Sequence, residues 1–219
     1  VMGEELIEFY GRILNLPNIK IRGIGTNLNC LSGIMPTQDK LIQLSLYKQL
    51  IEAKFNIEIP WVSGGTSVAV PLILKNARPM AVNHFRIGEA LFFGKDLFTG
   101  KTIKGMHNDV FKLFAEIIEI TEKPDTPSGE LGESGVGNTY LKDNDADLGL
   151  TSLRAILDIG LLDMQPKYIK PDDAGITIVD ASSDMLVIDI SKSKKEYKIG
   201  DLVSFNIHYM GALYLLNSD

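Results

Sequence analysis

The chain has 219 residues, 45% of them hydrophobic and 23% charged, with a formal net charge of −6 and a sequence pI of about 5.1. That acidic overall balance argues against a nucleic-acid or anionic-membrane partner. A single cysteine, Cys30, excludes an internal disulfide and a cysteine-based metal cluster, and no apolar run reaches the roughly 18 residues of a membrane span.

Leu6, Phe9, Tyr10, Ile13 and Leu14 recur at helical spacing, and Pro17-Asn18 stops the pattern. IKIRGIGTN, residues 19–27, reads as a short strand ending in a glycine-containing turn. Residues 37–56 predict an amphipathic helix with Thr37 as N-cap and Leu41, Leu44, Leu50, Ile51 and Phe55 along one side. IEIPWVSGG, 57–65, is a second strand running into glycines. Residues 66–77 predict a helix bent at Pro71, and 80–94 a third strand with its exit. Strand–helix alternation with short turns is the parallel α/β pattern, in which functional residues gather at the carboxyl ends of the strands. Those ends read GTNLN, SGGTS and RIGE, rich in glycine and small polar side chains suited to an anion.

Beyond about residue 107 the texture changes. FKLFAEIIEITEKP, LTSLRAILDIGLL, GITIVD, DMLVIDIS and DLVSFNIHY are β-rich and separated by turns. With helical periodicity nearly absent, an all-β second domain of mostly antiparallel strands is expected. Residues 127–149, acidic and glycine-rich, read as a long loop or hairpin tip.

The chemistry-bearing stretches each admit a plain reading. SGGTS is either an anion site or an ordinary strand-to-helix turn. Arg86, inside an apolar run, is either a ligand-facing charge or an interior arginine paired with a nearby carboxylate. Alternation puts His84, Arg86 and Gly88 on one strand face and Phe85 and Ile87 on the other. His84 by itself reads as structural. The histidines at 84, 107 and 208 show no metal-ligand spacing, and the aspartates of DNDAD, 143–147, lack the order of an EF-hand loop. The glycines of GELGESGVG do not sit between a buried strand and a helix, which leaves a dinucleotide loop without its structural context.

Six blocks in this order, GIGTNLNCLSGIMPT, VSGGTSVAVPLIL, NHFRIGEALFFG, AEIIEITEKP, ASSDMLVIDI and KIGDLVSF, resemble the ornithine racemase branch of the alanine racemase family. The resemblance covers essentially the whole chain. It implies the last part of a (β/α)8 TIM-type barrel over 1–106, binding pyridoxal 5'-phosphate, followed by a β-domain over 107–219. It implies a head-to-tail homodimer acting on a small amino acid, ornithine or another basic one, and the composition reads as that of a cytoplasmic protein. Arg86 matches the family arginine that faces the pyridine nitrogen. The backbone at Gly88 and Glu89, with Thr66 and Ser67, matches the phosphate cup. Asn27 falls where alanine racemases carry a ring-flanking histidine. Ser183 and Asp184 match a β-domain segment that approaches the partner subunit's site, which makes Asp184 a candidate catalytic residue.

Two departures set further expectations. The strands at 19–27, 57–65 and 80–88 correspond to the last three of eight, so the strand carrying the Schiff-base lysine is missing from this chain. Lys95, beside Asp96 in a turn, does not replace it. Three barrel strands leave edges and apolar faces open, and a chain of this extent is expected to be inactive alone unless further polypeptide completes it. The second departure concerns the acid/base of the opposite face, a tyrosine in alanine racemases. Glu133, Ser134, Gly135 and Val136 stand at the matching loop, with Tyr140 downstream, and the proton donor stays unassigned. Other readings remain: a pyridoxal-dependent aldolase or decarboxylase on the same scaffold, or a truncated or split piece serving only binding or dimerisation.

Overall fold

The computed structural model describes residues 3–29, 33–125 and 149–217. The chain divides into two compact units, Val1–Asn108 and Asp109–Asp219, each with its own core.

The first unit runs α1 (Leu6–Leu14), β1 (Gly23–Gly25), α2 (Gln38–Phe55), β2 (Trp61–Thr66), α3 (Val70–Leu74), β3 (His84–Arg86) and α4 (Glu89–Phe93). Its three strands form a parallel sheet in the order β1-β2-β3. Ile24 and Val62, opposite each other in register, point to the helices and bury against Leu6 and Tyr10 of α1 and Leu41, Leu44 and Ile51 of α2. Helix α2 begins where its sequence places it: Thr37 is extended and its side chain accepts from the Lys40 amide at 3.4 Å. It ends at Asn56, whose φ of 53° is the left-handed conformation that asparagine tolerates.

Three expectations need correction in this unit. Leu50 does not join the buried side of α2 but is 48% exposed, because nine residues past Leu41 a helix has turned by about half a revolution. Ile42 and Leu46 share that outer side with it. The segment 66–77 is a 3-10 turn at Ser67–Ala69 followed by the five-residue α3. Pro71 is the second residue of α3, where an amide has no helical partner to lose, so it starts the helix rather than bending it. The expected third strand is short, and its exit winds into α4, stopped by Gly94 in the left-handed conformation.

The second unit is a six-stranded antiparallel sheet in the order β6-β9-β4-β5-β8-β7, built from β4 (Lys112–Pro124), β5 (Thr151–Leu157), β6 (Ile169–Pro171), β7 (Thr177–Ala181), β8 (Leu186–Asp189) and β9 (Leu202–Ile207). The long β4 pairs with β9 through its first half and with β5 through its second. A register shift between Ile117 and Glu119 changes which parity faces inward: Ala115 and Ile117 are buried before it, and Ile120 packs on the core after it. Phe205, Leu157, Leu186, Ile188 and Met164 fill the centre. The five β-rich stretches are realised as β4, β5, β7, β8 and β9, with two additions: the short edge strand β6, and a helix, α5 (Tyr209–Leu215), that periodicity did not reveal. The stretch 127–148, including DNDAD and Tyr140, lies outside the described residues.

Candidate functional site

The carboxyl ends of β1, β2 and β3 lie side by side, and the polar residues of GTN, SGGTS and RIGE collect there. Two glycines shape this end of β2. A Cβ on Gly64 would stand 2.6 Å from Phe85 and 2.7 Å from Val82, so only glycine lets β3 pack this closely. Gly65 has a φ of 114°, a conformation that side chains resist. Together they make a bulge: Ser63 pairs with His84, yet Thr66, three residues on, pairs with Arg86, two residues on.

Beyond the bulge, Ser67 is 4% exposed, and its Oγ accepts hydrogen bonds from the amides of Gly88 at 3.2 Å and Ala90 at 3.1 Å. A serine whose oxygen takes two N–H donors keeps its own proton to donate. The Glu89 amide, in the first turn of α4, has no backbone partner among the described residues. Nothing would meet a Cβ built on Gly88 within 4 Å, so the backbone there borders open space. The Glu89 carboxyl is pushed above the usual carboxylate range by burial, against a downward pull from Lys95.

Arg86 lies on the open face of the sheet, its Nη1 donating to Ser63 Oγ at 2.7 Å. No carboxylate among the described residues reaches it at ion-pair distance, so the interior-pair reading gives way to a charge held by a neutral hydroxyl. His84 Nδ1 stands 3.1 Å from the same Oγ, and the imidazole stacks on Trp61 with ring centres 6.0 Å apart. Ser63, His84 and Trp61 were not site candidates from sequence. The alternation along β3 already set His84 beside Arg86, but the residue joining them comes from another strand.

Asn27 follows Thr26, whose amide donates to the Ser63 carbonyl at 3.1 Å, and so sits exposed at the edge of the same cluster. The structure thus gathers Asn27, Thr66, Ser67, Arg86, Gly88 and Glu89 at one end of one sheet. Asp184 belongs to the second unit, exposed at the tip of the β7–β8 turn, where its Oδ2 accepts from Ser183 Oγ at 2.7 Å. That turn is closed by the Ser182 amide on the Met185 carbonyl. Lys95 leaves α4 into a β-bridge with Thr102.

No family model matches this chain. Ornithine racemase of Acetoanaerobium sticklandii is 40% identical over 210 residues, which are 96% of this chain and 58% of that protein. Lysine racemase of Thermotoga maritima is 36% identical over 200 residues, 90% of this chain and 54% of that protein. In sequence the chain is similar to these two amino-acid racemases. It spans little more than half the length of these curated relatives. Among solved structures, its fold is found in alanine racemase from E. faecalis, with a TM-score of 0.58 at 14% identity over 99% of this chain and 57% of that one. Alanine racemase of Clostridium difficile 630, solved in complex with cycloserine, gives 0.54 at 19% identity over 98% and 56%. D-threonine aldolase from Filomicrobium marinum shares the fold as well, with 0.53 at 10% identity over 95% and 51%. The last part of a (β/α)8-type barrel, followed by a β-domain, is the architecture that this chain shares with them.

Proposed function

We propose that the site at the strand ends holds pyridoxal 5'-phosphate, and that the protein to which this chain belongs is a cytoplasmic, homodimeric racemase of ornithine or a similar basic amino acid. The observation that carries this reading is Arg86: a guanidinium on the open sheet face, held by a serine and left without a carboxylate among the described residues. Ser67, with a buried hydroxyl proton still to give, and the first-turn amide of Glu89 beside the open space at Gly88 suit a phosphate group. The donors present therefore fit the cofactor. When bound, pyridoxal phosphate supplies an electron-withdrawing ring that makes the Cα proton of an attached amino acid acidic.

A guanidinium donates hydrogen bonds without giving its proton away. Facing the ring nitrogen, it would leave that nitrogen unprotonated and the ring a moderate electron sink. A moderate sink favours prompt return of the proton over competing bond cleavages, which suits racemisation. Thr66 and Ser67 would hold the phosphate, and Asn27 would border the ring. Asp184, from the β-domain turn, is assigned by resemblance to the partner subunit's site. No described residue is assigned as the lysine that holds the cofactor covalently or as the opposite-face acid/base. The open face and edges of the three-stranded sheet fit part of a (β/α)8 barrel.

The test is chiral chromatography of L-ornithine incubated with the intact protein and pyridoxal phosphate. D-Ornithine should accumulate toward an equal mixture, with no CO2 and no aldehyde released. Arg86→Glu, which lets the ring nitrogen take a proton, should lower racemisation and raise transamination. Release of CO2 or aldehyde would favour the decarboxylase or aldolase reading. An intact protein that leaves every amino acid unchanged while still self-associating would favour a binding piece.

A further inference from the structure

Trp61, Ser63, His84 and Arg86 form one row across the open face of the three-stranded sheet. Parallel register sets Ser63 opposite His84, and the bulge at Gly64–Gly65 then brings Arg86 back within reach of Ser63. The Ser63 oxygen lies 2.7 Å from Arg86 Nη1 and 3.1 Å from His84 Nδ1, and the imidazole plane is 11° from that of Trp61.

A hydroxyl has one proton and two lone pairs, whereas a guanidinium only donates. Arg86 therefore occupies one lone pair of Ser63, and the single Ser63 proton is available to His84 Nδ1. That bond forms only if Nδ1 presents a lone pair, which requires a neutral imidazole with its hydrogen on Nε2. An imidazole with hydrogen on Nδ1 would instead donate into the second lone pair of the same oxygen and leave the Ser63 proton unanchored by His84. A hydroxyl that donates also becomes a better acceptor, so the two bonds reinforce each other.

We propose that His84 is a positioning residue for Arg86: its Nδ1 lone pair anchors the Ser63 hydroxyl, the Ser63 oxygen holds Nη1 of the guanidinium, and Trp61 fixes the imidazole plane. The inference rests on the reading of Arg86 as the partner of the cofactor's ring nitrogen. His84 needs no contact with the cofactor to act in this way.

Two substitutions separate the hydrogen bond from the stack. His84→Asn places an amide oxygen near the Nδ1 position, whereas His84→Phe keeps a ring against Trp61 and has no acceptor. In the intact protein, spectrophotometric titration with pyridoxal phosphate should show affinity lowered about three- to tenfold by His84→Phe and by Ser63→Ala, the size of one neutral hydrogen bond. The double variant should be no weaker than Ser63→Ala alone, because both changes break the same chain. His84→Asn should recover most of the affinity. A readout without any cofactor is the imidazole nitrogen-15 spectrum, with His84 assigned by its loss in His84→Asn: an Nε2–H tautomer is expected, with the preference lost in Ser63→Ala. Full affinity in His84→Phe, additive losses in the double variant, or an Nδ1–H tautomer would each overturn the proposal. An intact protein that takes no pyridoxal phosphate, yet shows the Nε2–H tautomer and its loss in Ser63→Ala, upholds the His84–Ser63–Arg86 link and overturns the cofactor reading instead.

Discussion

Arg86 could be picked out from sequence because a charge inside an apolar run needs a reason. Its partner could not. Ser63 lies 23 positions away, and only parallel pairing with a bulge brings the two within 2.7 Å. The same holds for Ser67, expected as a helix start and phosphate ligand: that its hydroxyl also ties the end of β2 to the first turn of α4 could not be read locally. Glu89 offers a pH test at this scale. Burial raises its carboxyl above the ordinary value near 4.5, with Lys95 opposing. A raised acid contributes stability that is fully present below the unfolded value and is lost as pH rises through the folded one. Glu89→Gln removes that loss. The melting temperature of the variant relative to the parent should therefore be near zero at about pH 4 and climb toward pH 7, as differential scanning calorimetry would read. A difference that stays constant across this range would mean that Glu89 titrates as an exposed carboxylate.

Helix α2 shows what periodicity can and cannot settle in a single element. Its N-cap, its length and its anchors Leu41, Leu44 and Ile51 were all legible, because each depends on neighbours within a few residues. Leu50 was misplaced because it adjoins Ile51, and a helix with apolar residues on two sides gives no unique inward direction. The distinction is measurable. Leu41→Ala should cost about 2–5 kcal/mol of unfolding free energy, from lost transfer and a residual cavity. Leu50→Ala should stay within about 0.5 kcal/mol, as surface changes do. Urea titrations of the two variants would decide, and equal losses would mean that Leu50 is covered in the folded protein. For α3 and α4, five residues each is too short for any periodic signal, and both follow from tight turns at strand ends.

On the scale of the whole chain, two cores are closed separately: Ile51 and Val62 belong to one cluster, Leu186 and Phe205 to the other. Ile51→Ala and Leu186→Ala share no packing neighbours in these clusters, so their effects should add within about 0.5 kcal/mol in the double variant. A clear departure from additivity would mean the cores are coupled. The first unit is also one-sided. Parallel sheets are ordinarily covered on both faces. Here the helices cover one, while the other displays Trp61, 55% exposed, with His84 and Arg86. That exposed row is where the proposed chemistry resides.

By itself the sequence determined the alternation of strands and helices, the switch to antiparallel β-structure, and the residue types gathered at the strand ends. All of these follow from local periodicity, caps and glycine placement, which act over a few residues. Only the tertiary structure decided that Ser63 holds Arg86, that His84 shares the same oxygen, that Ser67 binds two amides of the next turn, and which side of α2 is buried. Those outcomes depend on the register between strands about 20 residues apart, which hydrogen bonding across the sheet sets and no local pattern encodes.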